Sequence, residues 1–165
     1  MRRTGDDIQR LSAELRFDAE QVDILLASNT RAYERIKAGA TDYLDFSALG
    51  YTIHNLYSIM ENSCLRIAKF FENSISDATW HKDLLERMRL DIDQVRPAFL
   101  DEQSFLLLDD LRAFRHVFRN LYARPIDKDK ITLVQSKVEP ACTVFSRAVE
   151  RYRTFLQSLI GLTDE

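Results

Sequence analysis

The sequence predicts an all-α protein, an antiparallel bundle of four or five helices. Three observations carry that expectation. Apolar residues recur at helical spacing along most of the 165 residues. Only four glycines and three prolines interrupt the chain. No run of useful length alternates polar and apolar residues as a half-buried strand would. The chain is 45% hydrophobic and 30% charged, which is the mix of a soluble globular protein, and one domain over 1–165 is expected.

The first helix is read from about Asp6 to Lys37 on Ile8, Leu11, Leu15, Val22, Leu25, Leu26, Tyr33 and Ile36, with an interruption near Phe17 and Asp18. "AGAT" (38–41) breaks it. A second long helix follows from about Asp45 to Glu72. "NSISDAT" (73–79) is a polar loop, and "WHKDLLERMRLDI" a short helix. Pro97 pushes Arg96 out of helical geometry, so "DQVRPAFLDEQ" is an extended connector. Asp101 is placed to cap a helix running to about Ala123. Asp127 is placed to cap the last helix, Lys128 to Leu159, where Pro140 is a kink point.

Charge concentrates in one place. "LRAFRHVFRNLYARP" (111–125) holds four arginines and no lysine in a chain of net charge -3. On a helix, at about 100° per residue, Arg112, Arg115, His116, Arg119, Asn120 and Tyr122 share one half of the cylinder. Leu111, Ala113, Phe114, Val117, Phe118 and Leu121 form the other, apolar half, expected to be buried. Such strips are commonly solvated faces, and Asp109 can pair with Arg112 at i,i+3. Arginine throughout favours something more specific, because its planar fork suits phosphate and like charges on one face repel without an anion between them. Acidic residues from another helix would serve the same purpose. On the second helix, His54, Asn55, Ser58, Glu61 and Asn62 share a side that could supply Glu61 as that counter-charge. The plainer reading makes it a solvent-facing stripe.

Other chemistries find no pattern. Cys64 and Cys142 match no metal or redox spacing and are expected to be buried, reduced thiols. No zinc-type ligand spacing, Gly-rich phosphate loop or nucleophile elbow occurs, so neither metal nor cofactor is expected. His81 reads as a surface or capping residue. With no signal peptide and no membrane-spanning stretch, a cytoplasmic protein is expected.

"RAFRHVFRNLY" resembles the signature segment of HepT-like proteins, members of the HEPN superfamily of helical ribonuclease toxins. "LGYTIHNLYSIMENSCLRIAKFF" and "TWHKDLLERM" resemble that family's second helix and the short helix after it. The resemblance implies a HEPN-like bundle that forms a homodimer, with RNA as substrate, cut without metal in a cleft shared by two motif helices. It also implies a partner, a minimal nucleotidyltransferase (MNT-type) antitoxin, as in type VII toxin–antitoxin systems, which in some cases adds AMP to the motif tyrosine. The family motif is Arg, four residues, His, one residue, Tyr. Its arginine falls on Arg115 and its tyrosine on Tyr122, but its histidine position is Asn120. Asparagine cannot exchange a proton usefully, so this departure touches the acid–base step. The expected roles are then Arg112 and Arg115 on the scissile phosphate, His116 as acid–base group and Asn120 as a substrate-orienting amide. Arg119 and Arg124 would also contact RNA, and Tyr122 would be the modified residue. The alternative is a catalytically inactive HEPN-fold module that binds RNA or protein, or acts as an antitoxin.

Overall fold

The structure is a computed structural model that describes residues 4–72, 80–121 and 125–163. Its secondary structure is six α-helices: α1 (Gly5–Lys37), α2 (Tyr43–Phe71), α3 (Trp80–Met88), α4 (Glu102–Arg119), α5 (Lys128–Gln135) and α6 (Val138–Thr163). No strand forms among the described residues, where Ile92 and Arg96 make one isolated bridge. The all-α expectation holds.

Local chemistry explains the boundaries. Thr4 and Asp7 form a reciprocal capping box that opens α1. Asp42 caps α2 by accepting from the Leu44 amide, Asp101 caps α4 through the Ser104 amide, and Asp127 caps α5 through the Asp129 and Lys130 amides. Each carboxylate takes up an amide that the first helical turn leaves without a partner.

Four boundaries differ from the sequence reading, the first being α3, which ends at Met88 and not at Ile92, because Ile92 bridges to Arg96 in the connector. α1 runs unbroken through Phe17 and Asp18, because Asp18 turns inward and accepts a 2.8 Å hydrogen bond from Ser63 and a contact from Arg66. α4 stops at Arg119 with Asn120 as its C-cap, rather than continuing to Ala123. The last helix is two, broken at 136–137. Pro140 falls in the first turn of α6, where a missing N–H costs nothing, so it sits beside the break without kinking a continuous helix. The loop expected at 73–79 lies outside the described residues.

Four long helices form a ring in the order α1, α2, α4, α6, each antiparallel to its neighbours. Paired contacts give the directions: Asp18 with Ser63 and Asn29 with Thr52 for α1 and α2; Gly50 with Phe118 and Glu61 with Arg115 for α2 and α4. Leu15, Leu49, Ile53, Leu56, Met60, Ile67, Leu108, Leu111, Phe145 and Leu156 fill the centre with no exposed surface. Burying such a side chain stabilises by about 1.5–3 kcal/mol. Phe99, Phe145 and Tyr152 pack edge to face at one end. A buried amide pair, Asn29 with Gln135, ties α1 to α5 through two hydrogen bonds of 2.9 and 2.7 Å.

Cys64 and Cys142 are both buried and free of any disulfide. Burial pushes the Cys142 thiol up to about 12, and the Cys64 thiol well above its usual range, so both stay protonated and inert.

Candidate functional site

The arginine strip sits where α4 crosses the middle of α2. Gly50 makes the crossing close. A Cβ there would stand 2.6 Å from the Phe118 ring, so no other residue fits without moving that ring. Phe118 stacks on Phe114 at 5.6 Å and lies 5.8 Å from the His54 imidazole. A lone glycine inside an apolar helical run was the signal in the sequence for such an approach.

Beyond Phe118 the two helices meet through charge. The Arg115 Nη1 lies 3.0 Å from Glu61 Oε2, and Tyr57 donates a 3.3 Å hydrogen bond to Glu61 Oε1. The Arg115 guanidinium also stands 5.7 Å from the Tyr57 ring centre. Glu61 is 3% exposed, and a carboxylate so buried requires a counter-charge. Burial and the neighbouring Glu61 push the Tyr57 hydroxyl far above its ordinary range, so it remains a neutral donor.

The second-helix stripe is therefore not a solvent-facing one. Glu61 is buried, His54, Asn55 and Ser58 are half-buried, and only Asn62 is exposed. The reading that gave Glu61 to the arginine strip is the one the structure supports. The apolar half of α4 also needs correcting. Leu111 and Phe114 are buried and Phe118 and Leu121 half-buried, but Ala113 is exposed and Val117 is 54% exposed. Tyr51, one turn before His54 on α2, is likewise 59% exposed.

The remaining strip residues divide. Arg112 binds Asp109 at 2.6 Å within its own helix, and its charge also acts on Tyr57. Arg119 is exposed, and its charge reaches His54. His116 is exposed, about 100° around the helix from Arg115. Asn120 turns its amide back to donate a 2.7 Å hydrogen bond to the His116 carbonyl oxygen. Tyr122 and Arg124 lie outside the described residues.

The sequence reading placed His54 on the side of α2 that could face the strip but gave it no role, because there it is one polar residue among five. Its Nδ1 is buried and makes no hydrogen bond, and the same is true of Arg115 Nε. Burial, then Arg115 and Arg119, hold the His54 imidazole below its ordinary value, with Glu61 working in the opposite direction. The α2–α4 contact thus combines three arginines, a neutral imidazole and a buried carboxylate.

A family model described as HepT-like protein matches residues 48–156. This is more than half of the chain, and it contains the residues of the cluster on both α2 and α4.

The chain belongs to the HepT-like family. HepT-like proteins are HEPN toxins, and the helical bundle is the fold expected of them. No curated protein and no solved structure matches the chain. Among the described residues of this HepT-like chain, no helix is long and apolar enough to cross a membrane, and no group of three or more His, Cys, Asp or Glu residues could hold a metal ion. An open pocket of about 600 Å³ between α1, α5 and α6, lined by Asn29, Tyr33, Gln135 and Arg147, shares no residue with the arginine cluster.

Proposed function

We propose that this HepT-like protein is the toxin of a type VII toxin–antitoxin pair, a metal-independent endoribonuclease whose active cleft forms between two protomers. The observation that carries the reading is Arg115, fixed against α2 by Glu61 and flanked by Arg112 and Arg119. A guanidinium held in place by a buried carboxylate keeps its orientation as the phosphate becomes crowded and more charged. Preorganised electrostatics of this kind is commonly the largest contribution to catalysis. Exposed Tyr51 and Val117 beside the groove supply apolar surface for the second protomer.

In this reading Arg112 and Arg115 hold the scissile phosphate, and Arg119 and Arg124 track the strand. His116 transfers a proton at the leaving 5′-oxygen. Asn120, its amide nitrogen already committed to the helix end, offers its carbonyl oxygen to the substrate. A nucleotidyltransferase antitoxin would silence the site by adding AMP to Tyr122. The added phosphate and nucleoside would neutralise and fill the cationic groove.

A second reading has its own support. Asn120 stands at the motif's histidine position and spends its amide on the helix. A chain without that histidine can bind RNA and leave it intact. Incubation with single-stranded RNA in EDTA separates the two. Fragments ending in 2′,3′-cyclic phosphate, lost in Arg115→Ala, support the nuclease. Salt-sensitive binding without cleavage supports the binding module.

A further inference from the structure

We propose that His54, on α2 and outside the α4 motif, removes the proton from the 2′-hydroxyl of RNA held in the groove. The inference rests on the nuclease reading above and adds a residue that the motif does not contain.

Position is the first reason. His54 packs against Phe118 at 5.8 Å, one turn before Tyr57 and Ser58 on α2, with Arg115 and Arg119 facing it from α4. A phosphate gripped by those arginines brings its ribose to the imidazole. The second reason is the pair of orphaned atoms. Buried polar groups nearly always have a hydrogen-bond partner, yet His54 Nδ1 and Arg115 Nε both lack one in the same cluster. In the proposed complex a non-bridging oxygen accepts from Arg115 Nε and the adjacent 2′-hydroxyl donates to the imidazole, which requires the bound strand to open two atoms that the free chain closes to solvent.

The third reason is protonation state. A base must carry a free lone pair at working pH. Burial, Arg115 and Arg119 all favour the neutral ring; Glu61, two turns along the same face of α2, opposes them. The missing motif histidine then ceases to be a puzzle. Asn120 keeps the helix end, and the proton acceptor comes from the facing helix.

The step balances without metal or cofactor. His54 takes the 2′-hydroxyl proton and the 2′-oxygen bonds to phosphorus. The bond from phosphorus to the 5′-oxygen breaks, and that oxygen receives a proton from His116. The products are a 2′,3′-cyclic phosphate and a free 5′-hydroxyl.

His54→Gln is the test, with RNA affinity, thermal unfolding and the pH–rate profile measured together. The expected result is a loss of kcat/KM of about 10²–10⁴-fold and loss of the acid limb of the profile, with RNA affinity within a few-fold of the natural chain. Cleavage within about threefold of the natural rate on an unchanged profile, while Arg115→Ala is inactive, overturns the role of His54 and leaves the nuclease reading standing. Failure of the natural chain to cut RNA at all ends both. Should His54→Gln unfold, the unaltered chain still decides. Its three histidines give separable imidazole signals by NMR. The His54 signal should shift on addition of a single-stranded RNA oligonucleotide made uncleavable by a methylene group in place of each bridging 5′-oxygen, and a signal that stays fixed at saturation overturns the proposal.

Discussion

Two of the arginine–glutamate pairs in this bundle, Arg96 with Glu72 and Arg115 with Glu61, differ in how much of the guanidinium is used. Arg96, in the connector between α3 and α4, has a side chain with no exposure. Its Nε and Nη2 both reach Glu72 Oε1, at 2.8 and 2.5 Å. Its other N–H groups go to the carbonyl oxygens of Arg87, Leu90 and Pro97. Every donor is spent. Arg115 instead keeps 17% of its side chain exposed, touches Glu61 through Nη1, and leaves Nε without a partner. A saturated guanidinium is a clasp, and an unsaturated one is, in the reading proposed above, a receptor. Burial and charge alone do not distinguish them; the donor count does.

The largest expected effect tests the clasp. Arg96→Ala removes five hydrogen bonds, leaving three carbonyl oxygens without their donor and Glu72 with its 2.9 Å pairing to Arg87, so the protein should lose about 3 kcal/mol of stability in urea unfolding. A loss below about 1 kcal/mol would break the comparison. Arg115→Lys keeps the charge near Glu61 but removes the fork. Cleavage should fall by about 10²–10³-fold, the scale of losing one preorganised donor, with far less change in urea midpoint than Arg96→Ala. If the two variants unfold alike, Arg115 is a second clasp and no receptor.

Gly50→Ala probes the close approach that positions the receptor. Overpacking against Phe118 should cost about 1–3 kcal/mol and should weaken RNA affinity by tilting the end of α4. An unchanged melting temperature would show that the ring moves freely.

The smallest effect is in pH. His54 is held below its usual value of 6.5 in the folded chain, so on acidification the unfolded chain takes up that proton first. Stability contributed by the neutral ring is complete above about 6.5 and is lost as pH falls through the folded value. His54→Gln should flatten the melting curve in that window only. Asp18, raised by burial, acts with the opposite sign and is common to both chains, so the difference isolates His54.

Much of the fold was legible because its causes are local. Asp101 and Asp127 announce helix starts by residue type and position, and both cap as read. Asp18 shows where that local logic fails. An acidic residue in an apolar pattern suggested a break, but Ser63 and Arg66 from the neighbouring helix satisfy it and α1 continues. Pro140 shows the same from the other side, since whether a proline kinks a helix or begins one depends on where the preceding turn ends. Within the site, the segregation of Arg112, Arg115 and Arg119 was visible from spacing, but Ala113 and Val117 were assigned to the core because a helical wheel has no record of which neighbours exist.

The sequence by itself determined the helices, their amphipathic faces and the clustering of cations near the end of α4, because periodicity and capping act over a few residues. Only the tertiary structure decided that Glu61 would be the carboxylate meeting Arg115, and that His54 would lie under the arginines with an unpaired nitrogen. Those pairings depend on the antiparallel register of α2 against α4, which the close contact of Gly50 with Phe118 sets. Long-range packing of that kind leaves no periodic trace in the chain.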